Sequence, residues 1–190
     1  MIFRSPEGYE PSETQSSVQL VITAPEPHGA VLAHRARCRM TLGVLVELLA
    51  LARGQVVIAA PFLQTGYGLS RGPLAEALRA ALRRGVNADI VSTGQGLQTL
   101  DTAWLSEGAQ GRLRLFRPHS NVENEERLGS HAKFCIADGE GAYVGSANLT
   151  GPGLSGHLEM GLLVYGRMAQ QINQFWLYCI EMGLFIPTEC

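Results

Sequence analysis

The sequence predicts a layered α/β domain in which a mixed sheet lies between helices. Three observations lead there. Strand-length apolar runs alternate with segments of helical periodicity from residue 18 onward. One of these runs, Gln55–Ala60 (QVVIAA), is apolar without alternation, as a strand covered on both faces must be. The chain has 190 residues, 46% hydrophobic and 17% charged, with no low-complexity run, so it can bury a core unaided.

Residues 1–17 are rich in Pro, Ser, Glu and Thr, lack apolar periodicity and read as a flexible arm; the domain is expected to occupy 18–190, without internal repeats. Val18–Thr23 reads as a strand. Met40–Arg53 reads as a helix, because Leu42, Leu45, Val46 and Leu49 fall at helical spacing. Gln55–Ala60 is a strand stopped by Pro61. Ser70 is expected to cap a helix that runs through Arg84 and is closed by Gly85, with Val86–Val91 the next strand. Thr99–Glu107 is expected to be helical, Arg112–Phe116 a strand with two outward arginines, and Arg117–Arg127 a polar loop. His131–Ala137 and Tyr143–Gly145 are expected strands joined by an acidic turn at Asp138–Gly141. Leu158–Tyr165 follows as a strand, and Ala169–Met182 as a closing helix whose Phe175 and Trp176 are assigned to the core.

Composition narrows the function classes. A formal charge of −2 gives no global attraction to nucleic acid, so any polyanion must be held by local basic groups. The cysteines, Cys38, Cys135, Cys179 and Cys190, are far apart and form neither a zinc-ligand spacing nor a disulfide framework; reduced thiols in the cytoplasm are expected. The longest apolar run, Leu42–Ala52, is too short to span a bilayer, so no membrane span is expected.

The informative stretch is residues 130–166, SHAKFCIADGEGAYVGSANLTGPGLSGHLEMGLLVYG. His131, Lys133 and Asp138 form an H-x-K-x-x-x-x-D pattern, and Gly145, Ser146 and Asn148 a G-S-x-N. In a strand, side chains two apart share a face, so His131 and Lys133 are expected to project into one cleft. Lys133 is also the only lysine in the chain; the other fourteen basic residues are arginine. A compact ammonium suits a crowded phosphate site where a planar guanidinium fork does not.

This pattern resembles the signature of the phospholipase D superfamily, and the order of elements over about residues 40–182 is similar to that family's. The resemblance implies a layered α/β/α phosphodiesterase domain that needs neither cofactor nor metal. His131 would attack phosphorus to form a phospho-histidine, while Lys133 and Asn148 bind the non-bridging oxygens. Gly145 would let the backbone approach the substrate, and Ser146 would donate a further hydrogen bond. Glu159 would hold the second imidazole nitrogen. Asp138 would orient or support the site from a position away from the phosphate. The family often has Asn two residues before this Glu, where this chain has His157.

Catalysis of this type uses two such motifs. No second copy is present: His28, His34 and His119 lack a lysine two residues on. A homodimer with the active site on a two-fold axis is therefore expected. Arg112, Arg114 and Arg117 form either a phosphate-tracking edge or a solvated strand.

The short chain with one motif is similar to the nuclease branch, which implies a nucleic-acid substrate, DNA before RNA. The TLGVLVELLALA and VVIAAPFL segments also resemble the phospholipase D-like subunit of DISARM phage-defence systems, implying other defence subunits as partners. A phospholipase or phosphatidyl transferase, and a non-catalytic nucleic-acid-binding subunit, are the alternatives.

Overall fold

The computed structural model describes residues 17–63, 67–119 and 130–188. In chain order these form β1 (Val18–Thr23), α1 (Gly29–Ala36), β2 (Arg39–Met40), α2 (Thr41–Leu51), β3 (Gln55–Ala59), α3 (Pro73–Arg83), β4 (Asn87–Val91), α4 (Gly94–Gln98), α5 (Thr102–Ser106), β5 (Leu113–Pro118), β6 (Phe134–Ala137), β7 (Gly141–Gly145), β8 (Glu159–Tyr165), α6 (Arg167–Glu181) and β9 (Phe185–Thr188). A π-helical turn, Pro152–Gly156, precedes β8.

The strands make one mixed sheet in the order β2-β1-β8-β7-β6-β3-β4-β5-β9. β3, β4 and β5 are parallel to one another, and β6 is antiparallel to β3 with Phe134 opposite Ala59. The start of β6 therefore meets the carboxyl ends of β3, β4 and β5. Gly145 at the end of β7 pairs with Gly161 near the start of β8, so these termini reach the same end of the sheet.

The unbroken apolar run of β3 is explained by burial on both faces. Val56 and Ile58 join a core with Leu45 and Leu49 of α2 and Leu78 and Leu82 of α3. Val57 and Ala59 face the other side, in a smaller core with Ala169, Trp176 and Cys179 of α6. Helices thus lie on both faces, as expected, but one face has only α6 among the described helices.

Several local expectations need correction. Ser70 does not cap α3: Gly72 occupies the N-cap and Pro73 the first turn, where a missing N–H costs nothing, while the Ser70 hydroxyl donates to the Thr99 carbonyl at 3.0 Å. The helix expected over Thr99–Glu107 is the shorter α5, its start capped by Asp101, which accepts from the Trp104 amide; α4 lies before that span and is capped by Thr93, which accepts from the Gly96 amide. Arg117 and Pro118 belong to β5, not to a loop. His131 and Lys133 precede β6 instead of lying within it. Phe175 is not in the core: it is 63% exposed, whereas Trp176 is buried. α1, β2, α4, β9 and the π-helical turn were not expected. The arm at 1–16 and most of the polar loop lie outside the described residues.

Candidate active site

The backbone of Lys133 continues the β6 register, its carbonyl accepting from the Gly145 amide at 3.1 Å. Two residues apart on this extension, His131 and Lys133 meet as the spacing requires. Lys133 is buried at 6% exposure; its Nζ donates to the His131 carbonyl at 2.9 Å and lies 3.1 Å from His131 Nδ1. Burial pushes the lysine below its ordinary pKa, and the charge of Glu159 opposes that shift. An ammonium only donates, so the Nδ1 it touches carries the lone pair, and the ring proton sits on Nε2. His131 itself is exposed, and Phe62 just past β3 meets its ring edge-on at 6.4 Å between centroids.

Across the cleft, Ser146 is bound into the start of β8: its amide donates to the Met160 carbonyl at 2.9 Å, and its Oγ accepts from the Met160 amide at 3.1 Å. The Ser146 hydroxyl donates a short hydrogen bond to Glu159 Oε2. Glu159 Oε1 lies 3.9 Å from His157 Nδ1 on the exposed rim. A cation, an exposed imidazole, a carboxylate and a Gly-containing loop thus converge at the carboxyl end of a parallel β-unit, the usual place for ligands in such sheets.

Residues 45–177 match the family described as "Cardiolipin synthase, PLD-like domain". The chain belongs to the phospholipase D-like family. It is 26% identical to the DISARM protein DrmC of Bacillus paralicheniformis over 192 residues, 93% of this chain and 69% of that protein. Its fold is similar to NucT from Helicobacter pylori (TM-score 0.62, 17% identity, 88% of this chain and 97% of that one). It is similar also to Nuc from Salmonella typhimurium (TM-score 0.60, 17% identity, 93% and 100%). Phosphatidylserine synthase from Haemophilus influenzae shares the fold too (TM-score 0.64, 14% identity, 91% and 40%).

Within this phospholipase D-like domain, His131, Lys133, Gly145, Ser146, Asn148 and Glu159 come to one end of the sheet; Asp138, Arg112 and Arg114 do not. Glu159 was expected on the second nitrogen of His131, but its nearest donor is the Ser146 hydroxyl, and Nδ1 faces Lys133 instead. Ser146 was expected to donate to substrate, yet its one proton is given to Glu159. Gly145 has a packing reason: a Cβ there would stand 2.3 Å from the Tyr143 hydroxyl, and one at Gly161 2.5 Å from the same ring. Tyr143 therefore lies across this glycine pair beneath the loop, and burial raises its hydroxyl's pKa.

Asn148 is half-buried with Oδ1 enclosed and without a hydrogen-bond partner. Gly153 of the π-helical turn packs on its backbone, where a Cβ would come within 2.3 Å of the Asn148 carbonyl.

Asp138 closes the far end of β6. It sits in a left-handed turn with Gly139, and its carboxylate accepts from the backbone amides of Arg53, Gly54 and Gln55 at 2.8–2.9 Å. Burial alone would raise its pKa, but these amides outweigh it and hold the group below the ordinary value. Arg114 also lies at the far end, in a two-pronged pair with buried Asp89 at 2.7 Å, because β5 opposes Asp89 with Arg114. Arg112 precedes it, further from the cleft. Arg117, of the three, stands at the site end of β5.

Phe62, Tyr143, Gly153 and Gly161 shape the site without having been singled out in the sequence. Gly161 alone left a trace, as the one glycine inside the EMGLLVY strand. Among the described residues no group of three or more His, Cys, Asp or Glu is placed to hold a metal ion, and no helix is long and apolar enough to cross a membrane.

Proposed function

We propose that this chain is a nuclease that hydrolyses nucleic-acid phosphodiester bonds, DNA before RNA, through a phospho-histidine in a cleft shared by two copies of the chain. The observation that carries the reading is the buried Lys133 ammonium held against His131, an arrangement that costs stability and is compensated when an anion arrives.

When a phosphate oxygen takes the ammonium, Nδ1 of His131 is released and can carry the ring proton, leaving the lone pair on Nε2. That nitrogen attacks phosphorus as the bond to the leaving oxygen breaks, and the partner's His131 protonates the leaving oxygen. The same imidazole then takes a proton from water, whose oxygen displaces His131 from phosphorus. Glu159, one of the groups around the cleft, offsets the positive charge on the nucleophilic ring as phosphate binds.

Likeness to DrmC over 93% of the chain supports a place in anti-phage defence beside other DISARM subunits, in the cytoplasm. The chain matches NucT and Nuc over 97% and 100% of their length but phosphatidylserine synthase over only 40%, which supports the nucleic-acid reading over a lipid one.

The test is cleavage of labelled single- and double-stranded DNA in EDTA by wild type and His131→Ala. Wild-type cleavage that the variant lacks, with a labelled DNA fragment trapped through its phosphate on His131 by denaturing quench at alkaline pH, is the expected result. Equal cleavage by both proteins, or turnover of phosphatidyl substrates alone, would overturn it.

A further inference from the structure

Phe62 is an apolar ring held out in water beside His131. It is 45% exposed, although Pro61 before it and Leu63 after it are buried. The β3–β6 register explains its place. Ala59 pairs with Phe134, and the same register continued past the ladder sets Phe62 opposite His131. The two rings stand at 80° to one another.

The backbone on either side of this ring is fixed. The Pro61 carbonyl accepts from the Ser92 hydroxyl at 3.2 Å and from the Thr93 hydroxyl at 3.1 Å, both just past β4. The Leu63 carbonyl accepts from the Thr99 hydroxyl at 3.2 Å. Leu63 also bridges to Leu149, the residue after Asn148. Leaving a phenyl ring in water forgoes the stabilisation that burial would give, and the tethers on both sides keep the ring from turning inward. A ring presented in this way is preorganised for a ligand, because little freedom is lost when one binds.

We propose that Phe62 is a stacking platform for a nucleobase, that of the nucleotide whose phosphate His131 takes. The proposal rests on the nuclease reading above and names the group that grips the strand. Two observations favour a base. The segment offers one flat ring between buried neighbours, which fits a planar partner and gives an acyl chain no groove to follow. A net charge of −2 gives no general hold on a polyanion, so part of the affinity for a strand must come from uncharged contacts. Every base has a π-face, so a stack of this kind grips a strand without reading its sequence. One sugar separates a base from its phosphate, and a phosphate on His131 therefore brings the base of the same nucleotide to the ring. A base inside a duplex is already paired and stacked, so the platform favours single strands.

Cleavage of a single-stranded DNA carrying one abasic tetrahydrofuran residue tests it, with wild type and Phe62→Leu compared and the cuts mapped by electrophoresis. Leucine keeps an apolar contact with His131 and removes the flat face. The wild type is expected to cut about tenfold less at the linkage of the abasic residue than elsewhere, or ~1.4 kcal/mol, within the range of one stacked base. Phe62→Leu is expected to cut more slowly at every linkage, with no minimum at the abasic one. A ring that only braced His131 would slow cutting and leave the pattern unchanged. DNA carrying 5-iodouracil, irradiated with the wild type, is expected to join covalently at Phe62, a readout that needs no turnover and holds even if the leucine variant misfolds. Even cutting by the wild type, a minimum that persists in Phe62→Leu, or crosslinks to other residues alone would overturn the inference and leave the nuclease reading standing. DNA joined to Phe62 in a protein that cuts none would overturn the nuclease reading and support the platform. A protein that neither binds nor cuts DNA would overturn both.

Discussion

The two ends of β6 carry the two halves of one motif and solve opposite problems. At the amino end, Lys133 is buried with a pKa pulled down by desolvation, and among the described residues its ammonium has only the carbonyl and ring of its neighbour His131 as hydrogen-bond partners. At the carboxyl end, Asp138 is more exposed, yet three backbone amides hold its carboxylate ionised despite the burial it has. The first end keeps charge poorly satisfied and ready for a ligand. The second satisfies charge fully and ties β6 to the start of β3. A strand four residues long can thus be held in register by a group that takes no part in the cleft, leaving the reactive end free to hold an under-satisfied charge.

The comparison is tested most severely at Lys133. Lys133→Met keeps length and removes charge. Turnover of a phosphodiester should fall by at least about a thousandfold, as when a transition-state cation is removed. The unfolding midpoint should hold or rise, because about 1 kcal/mol of ammonium burial cost disappears. The sign with pH is fixed: the folded lysine has the lower pKa, so the cost is full below that value and is relieved as pH rises through it. The variant's advantage should therefore shrink in alkali. A variant that is both less stable and active would break the contrast.

The floor of the cleft comes next. Gly145→Ala should cost about 1–3 kcal/mol through overpacking against Tyr143. Tyr143→Phe removes the nearest atom, at 2.3 Å, and should restore part of the loss in the double variant. Denaturant unfolding of the four proteins measures this. Additive losses would mean that the ring does not set the glycine.

Asp138→Asn is expected to act in the reverse sense to Lys133→Met. Asparagine tolerates the left-handed backbone as aspartate does, so the change isolates the charge. A loss on the order of 1–2 kcal/mol is expected after screening at this exposed turn, with activity per folded molecule kept. The folded carboxyl has the lowered pKa. Its contribution is present above the unfolded value, about 3.9, and is lost as pH falls through the folded one, so wild type and variant should converge in acid. Unfolding followed between pH 3 and 7 would show it.

What the sequence disclosed follows the range of the forces involved. Strand spacing brought His131 and Lys133 together, and the glycine after Arg84 ended α3, because both effects act within a few residues. The boundary errors were local rivalries: Pro73 displaced Ser70 as the start of α3, and Asp101 displaced Thr99 as the start of α5. The hydrogen bond from Ser146 to Glu159 and the Tyr143 ring under Gly145 and Gly161 depend on which strands pair, which no local pattern specifies. Phe175 was assigned inward because it is apolar and helical. Its exposure depends on the path of α6, a property of the whole sheet.

The smallest expected effect concerns the basic residues at the two ends of β5. Arg112 and Arg117 are five residues apart, about 16 Å along an extended strand. That is two screening lengths at physiological salt, where the Debye length is ~8 Å. Arg112→Ala should leave both the affinity for DNA and its dependence on salt unchanged. Any reduction in slope, by about one unit per lost phosphate contact, is expected at Arg117, on the cleft side. A shallower slope in the Arg112 variant would mean that a bound strand runs down the edge of the sheet past Arg114 and Asp89. The end of the fold read here as structural would then belong to the binding surface.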